Sequence, residues 1–185
     1  MSSKNLKNQN NKKTKSPLKF LYNKEILYLI IIGTVGLVIR LYYFPFNIPI
    51  IDDGIDYFSY AVVSSQQGQL PVNWGLSNNG WPVFLSYFFS IFNSQNFLEF
   101  TYLQRSLTII ISVLTIIPVY FLCKRFVNKK IAIISTTLFV FEPRIIINSL
   151  IGITEPAYIL LGTISLFLFL SKRFSIILIS FFTLA

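Results

Sequence analysis

Three aspartates lie close together in the first third of the chain, at Asp52, Asp53 and Asp56, although the chain has only seven acidic residues. On a helix, residues three or four positions apart share a face, so these carboxylates are predicted to be neighbours. Neighbouring carboxylates share a proton or bind a cation, and both arrangements suit a general base that deprotonates a hydroxyl group. The alternative is a helix cap, which explains one aspartate but not three.

Two further acidic features stand beside prolines in the tripeptides 142–144 (EPR) and 154–156 (TEP). Acidic side chains at membrane depth are costly, and they are therefore candidates for function. Glu142 and Arg144 have a simpler alternative, because they can pair with each other at the membrane interface. Glu155 has no adjacent basic residue, and its alternative is a favourable contact with the positive end of the helix that begins there.

The composition limits which chemistry these residues can perform. Hydrophobic residues make up 54% of the chain and charged residues 12%, against about a quarter charged in a typical soluble domain. This balance indicates a protein that lies largely in lipid, and it excludes an ordinary soluble enzyme. The chain has no histidine and one cysteine, which excludes histidine bases, internal disulfides and the usual zinc sites. Catalysis would have to use carboxylates, arginine or lysine, hydroxyl groups or the backbone.

The apolar segments that must position these residues predict an all-α polytopic membrane protein. Four complete transmembrane helices are predicted, over residues 26–44, 103–122, 131–147 and 156–170. Pro118 predicts a kink in the second of them. Residues 174–185 are interpreted as a truncated fifth span, because about 20 residues are needed to cross a bilayer. We therefore expect the chain to be a fragment, with a naturally short chain as the alternative.

Residues 45–102 are predicted to form the first outer loop, with two juxtamembrane helices. One of these helices covers residues 53–66, and its apolar stripe consists of Ile55, Phe58 and Val62. Such a stripe predicts an amphipathic helix on the membrane surface. Residues 82–92 are apolar but too short to span a bilayer, which predicts a re-entrant or interfacial helix.

The net charge of +9 is interpreted as an orientation signal, and no nucleic-acid partner is expected. Residues 1–24 predict a lysine-rich disordered tail, and further basic clusters occupy 124–130 and 172–173. The predicted spans place all three clusters on one face, which the positive-inside rule makes cytoplasmic. Every acidic residue except Glu25 falls on or near the outer face. Arg40, near the outer end of the first span, is expected to reach the lipid headgroups.

These features, in this order, resemble the GT-C superfamily of membrane glycosyltransferases. The superfamily includes the protein O-mannosyltransferases, the aminoarabinose transferases and the catalytic subunit of oligosaccharyltransferase. The resemblance covers about residues 26–173, and its order and sidedness carry more weight than any single motif. The motifs are Asp56-x-x-x-Tyr60-Ala61 with Gly68, then Gly80-Trp81-Pro82, Gln104-Arg105-Ser106 and Thr154-Glu155-Pro156.

The first motif departs from the family pattern, which commonly reads Asp-Glu where this chain has Asp56-Tyr57. Two registers therefore stay open. Asp56 matches the spacing of the mannosyltransferase-like members. Asp53, which lies fifteen residues before Gly68, matches the spacing of the oligosaccharyltransferase branch.

The resemblance implies an inverting transfer of a sugar from a polyprenyl- or dolichyl-phosphate donor to a glycan, lipid or protein acceptor. Asp53 or Asp56 would deprotonate or orient the acceptor. Glu155 would assist, or would join both aspartates in binding a divalent cation such as Mg²⁺ or Mn²⁺. Arg105 and Arg144 would hold the lipid phosphate, and the alternative for each is ordinary anchoring in the lipid headgroups. The resemblance also implies many more spans, so this chain is expected to be inactive alone.

Two other classes of function stay open. A transporter-like protein would bind ions with acidic residues in the middle of its spans, whereas the acids here are predicted at the outer ends. A non-catalytic subunit of a membrane complex would need Asp53 and Asp56 for stability alone. In every case we expect an integral protein of the cell membrane, with the bilayer as a partner and a cytoplasmic N-terminus.

Overall fold

The structure is a computed structural model that describes residues 24–51, 53–76, 79–92, 94 and 96–170. All regular secondary structure in these residues is α-helical, which confirms the helical fold class. The helices are α1 (Lys24–Tyr42), α2 (Asp53–Gln67), α3 (Gly80–Ile91), α4 (Phe97–Leu114), α5 (Ile116–Phe126), α6 (Lys129–Val140), α7 (Pro143–Ile151) and α8 (Glu155–Phe169). Asp52, almost all of the predicted tail and the predicted fifth span lie outside the described residues.

Two helical segments of the described chain are long and apolar enough to cross a membrane. One is α1, with 19 residues, and the other is the 30-residue run of α4 and α5. The pair α6 and α7 adds a third span if it is counted as one segment, although it is bent by 48°. At 15 residues, α8 is shorter than these. The described residues therefore contain two to three candidate spans, which agrees with a membrane protein.

The helix break near Pro118 lies at Thr115, between α4 and α5. Proline has no N–H group, and its ring crowds the carbonyl four residues earlier, which here belongs to Leu114. The hydroxyl of Thr115 donates to the Ile111 carbonyl at 2.9 Å, so the backbone at the break keeps a local partner. The helix is thus interrupted one turn before Pro118, while the kink itself stays a prediction.

A second break corrects the predicted third span, which was taken as one helix over residues 131–147. Helix α6 ends at Val140, and α7 begins at Pro143 and continues to Ile151. Glu142 caps α7, because its carboxylate accepts the Ile145 N–H at 2.8 Å. Proline is well placed at a first helical position but cannot continue the preceding helix. Residues 142–144 therefore lie at the bend of this segment and not at its outer end.

One end of the helix bundle is held by charged residues. The Glu25 carboxylate, at the start of α1, forms ion pairs with Lys124 at 2.7 Å and with Lys129. The Arg125 side chain donates to the carbonyl of Leu170, just after α8. The start of α1, the end of α5, the start of α6 and the end of α8 thus share one end. This arrangement agrees with the predicted alternation of the spans.

Helices α2 and α3 pack against each other within the loop between α1 and α4. The core of this pair consists of Phe58, Ala61, Trp81, Leu85 and Phe89, together with Ile50. The predicted amphipathic helix and the predicted short helix are both confirmed. Phe58 of the predicted apolar stripe belongs to this core and Val62 packs against it, whereas Ile55 is 43% exposed.

Candidate functional site

Gln104 joins the two regions that carry the predicted acidic sites. Its side chain is fully buried, and its Nε2 donates to the carbonyl of Gly152 at 2.7 Å and to that of Gly54 at 3.4 Å. Gly54 directly follows Asp53, and Gly152 lies three residues before Glu155. The first turn of α2 and the connection from α7 to α8 therefore meet on α4.

Both regions approach so closely because glycine occupies the contact positions. A Cβ atom on Gly54 would lie 2.5 Å from the Ile50 Cγ2 and 3.2 Å from the Ile151 carbonyl oxygen. Gly152 ends α7 with φ of +85°, a left-handed conformation that side chains other than glycine rarely adopt. We name the contact of Gly54, Gln104 and Gly152 the acidic junction, after the carboxylates on either side of it.

The three candidate catalytic carboxylates are placed around the acidic junction. Asp53 and Asp56 lie in the first turn of α2, and both side chains are exposed. Glu155 is the first residue of α8 and is also exposed, which confirms the predicted helix start at Thr154-Glu155-Pro156.

The predicted metal site has no assembled ligand set in the described part of the chain. Among those residues, no group of three acidic or cysteine side chains is placed to hold a metal ion. Asp53, Asp56 and Glu155 therefore form no ligand cluster, and the third aspartate of the motif, Asp52, lies outside the described residues. Binding of Mg²⁺ or Mn²⁺ stays a prediction.

Arg105, a predicted phosphate ligand, is buried with 3% exposure. Its Nη1 donates to the carbonyl of Pro45 at 3.2 Å and its Nη2 to that of Pro49 at 3.0 Å, and Nη1 also contacts the Ile48 carbonyl. These bonds hold the segment that follows α1. The Nε atom of Arg105 is buried and has no hydrogen-bond partner in the described residues, so that part of the donor capacity is unused.

Arg105 also borders a cavity of about 240 Å³ between the segment after α1 and helix α7. Its other walls are largely apolar and include Ile48, Ile147 and Ile151. Binding sites for drug-sized ligands span about 300–1,000 Å³, so this cavity could accommodate only part of a lipid. An apolar cavity beside a guanidinium group suits a lipid with an anionic headgroup.

Arg144, the other predicted phosphate ligand, is exposed on α7. On α7 it precedes Ile147 by three positions and Ile151 by seven, so it shares a helix face with two cavity residues. It forms no ion pair with Glu142 in the described structure, and Glu142 instead caps α7. The cap of α7, and not a pair with Arg144, is thus the contact that the described structure gives the Glu142 carboxylate.

Arg40 was predicted to reach the lipid headgroups, and this prediction is wrong. Its side chain is 1% exposed and lies inside the bundle, where it contacts Ser112 of α4 and Ser149 of α7. These partners are 72 and 109 positions away in the sequence. An ionisable residue within an apolar span is the one signal that could have indicated this role. Gln104 was likewise missed as the contact residue of the acidic junction, although it was part of a quoted motif.

No protein-family model, curated protein or solved structure matches this chain. Its function therefore has to be argued from the positions and chemistry of its own side chains.

Proposed function

We propose that this chain is part of a membrane glycosyltransferase, which moves a sugar from a polyprenyl- or dolichyl-phosphate donor to an acceptor hydroxyl at the outer membrane face. The observation that carries this proposal is the acidic junction. Through Gln104 it brings the turn that carries Asp53 and Asp56 to the loop that precedes Glu155. This approach of two segments about a hundred residues apart in the sequence supports the proposal that their acidic residues serve one site.

The chemistry needs a base and a way to stabilise the leaving group. In the proposed reaction, Asp53 or Asp56 accepts the proton of the acceptor hydroxyl group. At the same time the oxygen of that hydroxyl group attacks the anomeric carbon of the sugar. The bond between that carbon and the lipid phosphate breaks, and the phosphate leaves with the negative charge. Glu155 orients the acceptor or joins in holding a divalent cation. The exposure of all three acids makes them accessible to substrate.

The proposed donor site lies beside the cavity at Arg105. Guanidinium groups bind phosphate oxygens with two parallel donors, and the apolar walls suit the first part of an isoprenoid chain. The place of Arg105 in the cavity wall supports this location, and Arg144 is exposed on α7, which contributes Ile147 and Ile151 to the same wall. The nearby acidic junction would place the sugar next to the base.

The proposed membrane arrangement has four crossings, formed by α1, the α4–α5 run, the bent α6–α7 pair and α8. The basic residues around Lys124 and Lys129 would face the cytoplasm with the N-terminus. Helix α1 rises about 28 Å along its 19 residues, so its far end reaches the other side of the hydrocarbon layer. The acidic junction would then lie at the outer face of the cell membrane.

The test uses membranes that contain the native protein, together with radiolabelled polyprenyl-phosphate mannose or glucose. Asp53→Asn/Asp56→Asn should abolish sugar transfer while the protein is still inserted at its normal level. Glu99→Gln is a matched control, because Glu99 is another exposed acid of the first outer loop. Transfer at the unmodified rate in a correctly inserted double variant would show that the catalytic assignment is wrong.

One observation favours a transporter-like function as the second candidate. The structure moves Glu142 from the end of a span to the break of a bent helix pair, which is where transporters often bind ions. The Glu142 carboxylate is half-buried, and its recorded contact is the cap of α7. Ion-dependent flux into vesicles that is lost in Glu142→Gln, without any sugar transfer, would favour this candidate.

A further inference from the structure

The guanidinium group of Arg40 contacts four helices at once. From α1 it donates through Nε to the Ser149 hydroxyl of α7 at 3.1 Å and through Nη2 to the Ser112 hydroxyl of α4 at 3.0 Å. It also donates to the carbonyl of Val140, the last residue of α6, at 3.4 Å, and to that of Gly36 within α1 at 3.0 Å. These four hydrogen bonds converge on one buried side chain.

All of these acceptors are uncharged. In the described part of the chain, the recorded ion pairs all involve Glu25, at the other end of α1, and none reaches Arg40. A cation inside a membrane bundle without a carboxylate partner is unfavourable unless dipoles surround it. A methyl-bearing side chain of similar size would fill the same space without this penalty. The placement of Arg40 therefore indicates a role that only its fork of donors can perform.

Arg40 holds both arms of the bent α6–α7 pair. In an uninterrupted helix the Val140 carbonyl would accept the N–H of residue 144, but the break at Phe141 and Glu142 removes that bond. Arg40 supplies a donor in its place and, through Ser149, also contacts the second arm. The bend is thus fixed from α1 rather than by α6 and α7 alone.

The position of α7 in turn places the loop that carries Glu155. Ser149 is held a second time from α4, because the Thr108 hydroxyl donates to its carbonyl at 2.7 Å. Three residues further on, Gly152 is held by Gln104 in the acidic junction. A shift of α7 would therefore move the start of α8, and Glu155 with it, relative to the first turn of α2.

We propose that Arg40 is a positioning residue, which fixes the bend between α6 and α7 and thereby keeps Glu155 beside the aspartates of α2. It acts through Ser149 and Val140 and does not touch a substrate. The role of Glu155 rests on the proposed glycosyl transfer, but the role of Arg40 in the bend does not. The two can therefore be tested separately.

The first experiment measures the distance between α2 and α8 in the native protein in membranes, by electron paramagnetic resonance. Spin labels are attached at Ile55→Cys and Tyr158→Cys, two exposed positions in the first turns of these helices, in a Cys123→Ser background. Arg40→Met should broaden or shift the distance distribution. Arg40→Lys should give an intermediate distribution, since lysine keeps the charge but cannot reach all four acceptors.

The double variant Ser112→Ala/Ser149→Ala removes two hydrogen-bond acceptors of Arg40 and keeps the cation. It tests the positioning role even if the Arg40→Met variant fails to insert into the membrane. The matched control is Thr136→Val, because Thr136 is fully buried on α6 and its hydroxyl bonds only its own helix, at Ala132. If the distance distribution of the double serine variant is as sharp as that of the unmodified protein, the proposal is wrong.

The second experiment follows sugar transfer in the same variants. Arg40→Lys should retain more activity than Arg40→Met, with the loss mainly in kcat, because the acceptor base and Glu155 are misaligned. If the distances shift but the unmodified protein transfers no sugar, the proposed function fails and the positioning role stands. If sugar transfer occurs and the distances do not shift, the positioning role of Arg40 is wrong.

Discussion

The amide nitrogen of Gln104 lies 2.7 Å from the carbonyl oxygen of Gly152, and it is fully buried. This hydrogen bond connects α4 to the loop before Glu155. The Oε1 atom of the same side chain is buried and has no partner in the described residues. Gln104 is therefore a polar group retained for the contact it makes between α2, α4 and the α7–α8 loop.

Gln104→Met should destabilise the protein by about 1–3 kcal/mol, because two carbonyl acceptors lose their buried donor. The variant also removes the unpaired Oε1, which offsets part of the loss. The measurement is the free energy of unfolding in detergent micelles by circular dichroism. Thr101→Val serves as the control, because Thr101 is equally buried on α4 but bonds only its own helix. Equal effects of the two variants would contradict a special role for Gln104.

Gly36 and Gly33 form a matched pair on α1. A Cβ atom at Gly36 would lie 2.7 Å from the Val140 Cγ1, whereas one at Gly33 would lie 3.5 Å from the Ile116 Cδ1, an ordinary contact. Gly36→Ala should destabilise the bundle by about 1–3 kcal/mol through overpacking between α1 and α6. Gly33→Ala should be neutral or slightly stabilising, since alanine is the better helix former. Thermal unfolding gives the Tm of both variants. A lower Tm for Gly33→Ala than for Gly36→Ala would contradict the prediction.

Variants at Arg144 and Arg105 should differ in whether they affect phosphate binding alone or also the stability of the protein. Arg144→Gln should weaken binding of farnesyl phosphate about tenfold, which equals about 1.4 kcal/mol, and leave Tm unchanged because the side chain is exposed. Arg105→Gln should lower both binding and Tm, since three loop carbonyls lose their donor. Isothermal titration and thermal unfolding of the detergent-solubilised protein measure the two effects. Inorganic phosphate is the control ligand, and equal affinity for both ligands would contradict a lipid site.

The helical segments and their ends could be predicted from sequence because their causes are local. In lipid, backbone N–H and carbonyl groups must bond within the segment, so a long apolar run becomes a helix. Pro118 and Pro143 interrupt helices because proline lacks an N–H group, and Pro156 favours a helix start. The position of Glu155 at that start followed from the same local rule.

The tertiary structure decided which of these local features meet. Helical continuity of the third segment was over-estimated, because its apolar pattern runs through Glu142 while the cap and proline divide it. Periodicity grouped Ile55 with Phe58 in one apolar stripe, but α3 packs against Phe58 and leaves Ile55 43% exposed. Periodicity predicts that a face is apolar, whereas its burial depends on where another element packs.

The sequence by itself determined a helical membrane protein with scarce acids at defined helix ends, because backbone satisfaction in lipid and proline chemistry act over a few residues. Only the tertiary structure decided that Arg40 lies inside the bundle and that Gln104 joins the two acidic regions. The hydrogen-bond partners of these two side chains are 48 to 109 positions away, apart from the bond within α1. Such contacts form only when helices distant in the sequence pack together, because buried polar groups must then find hydrogen-bond partners within the protein.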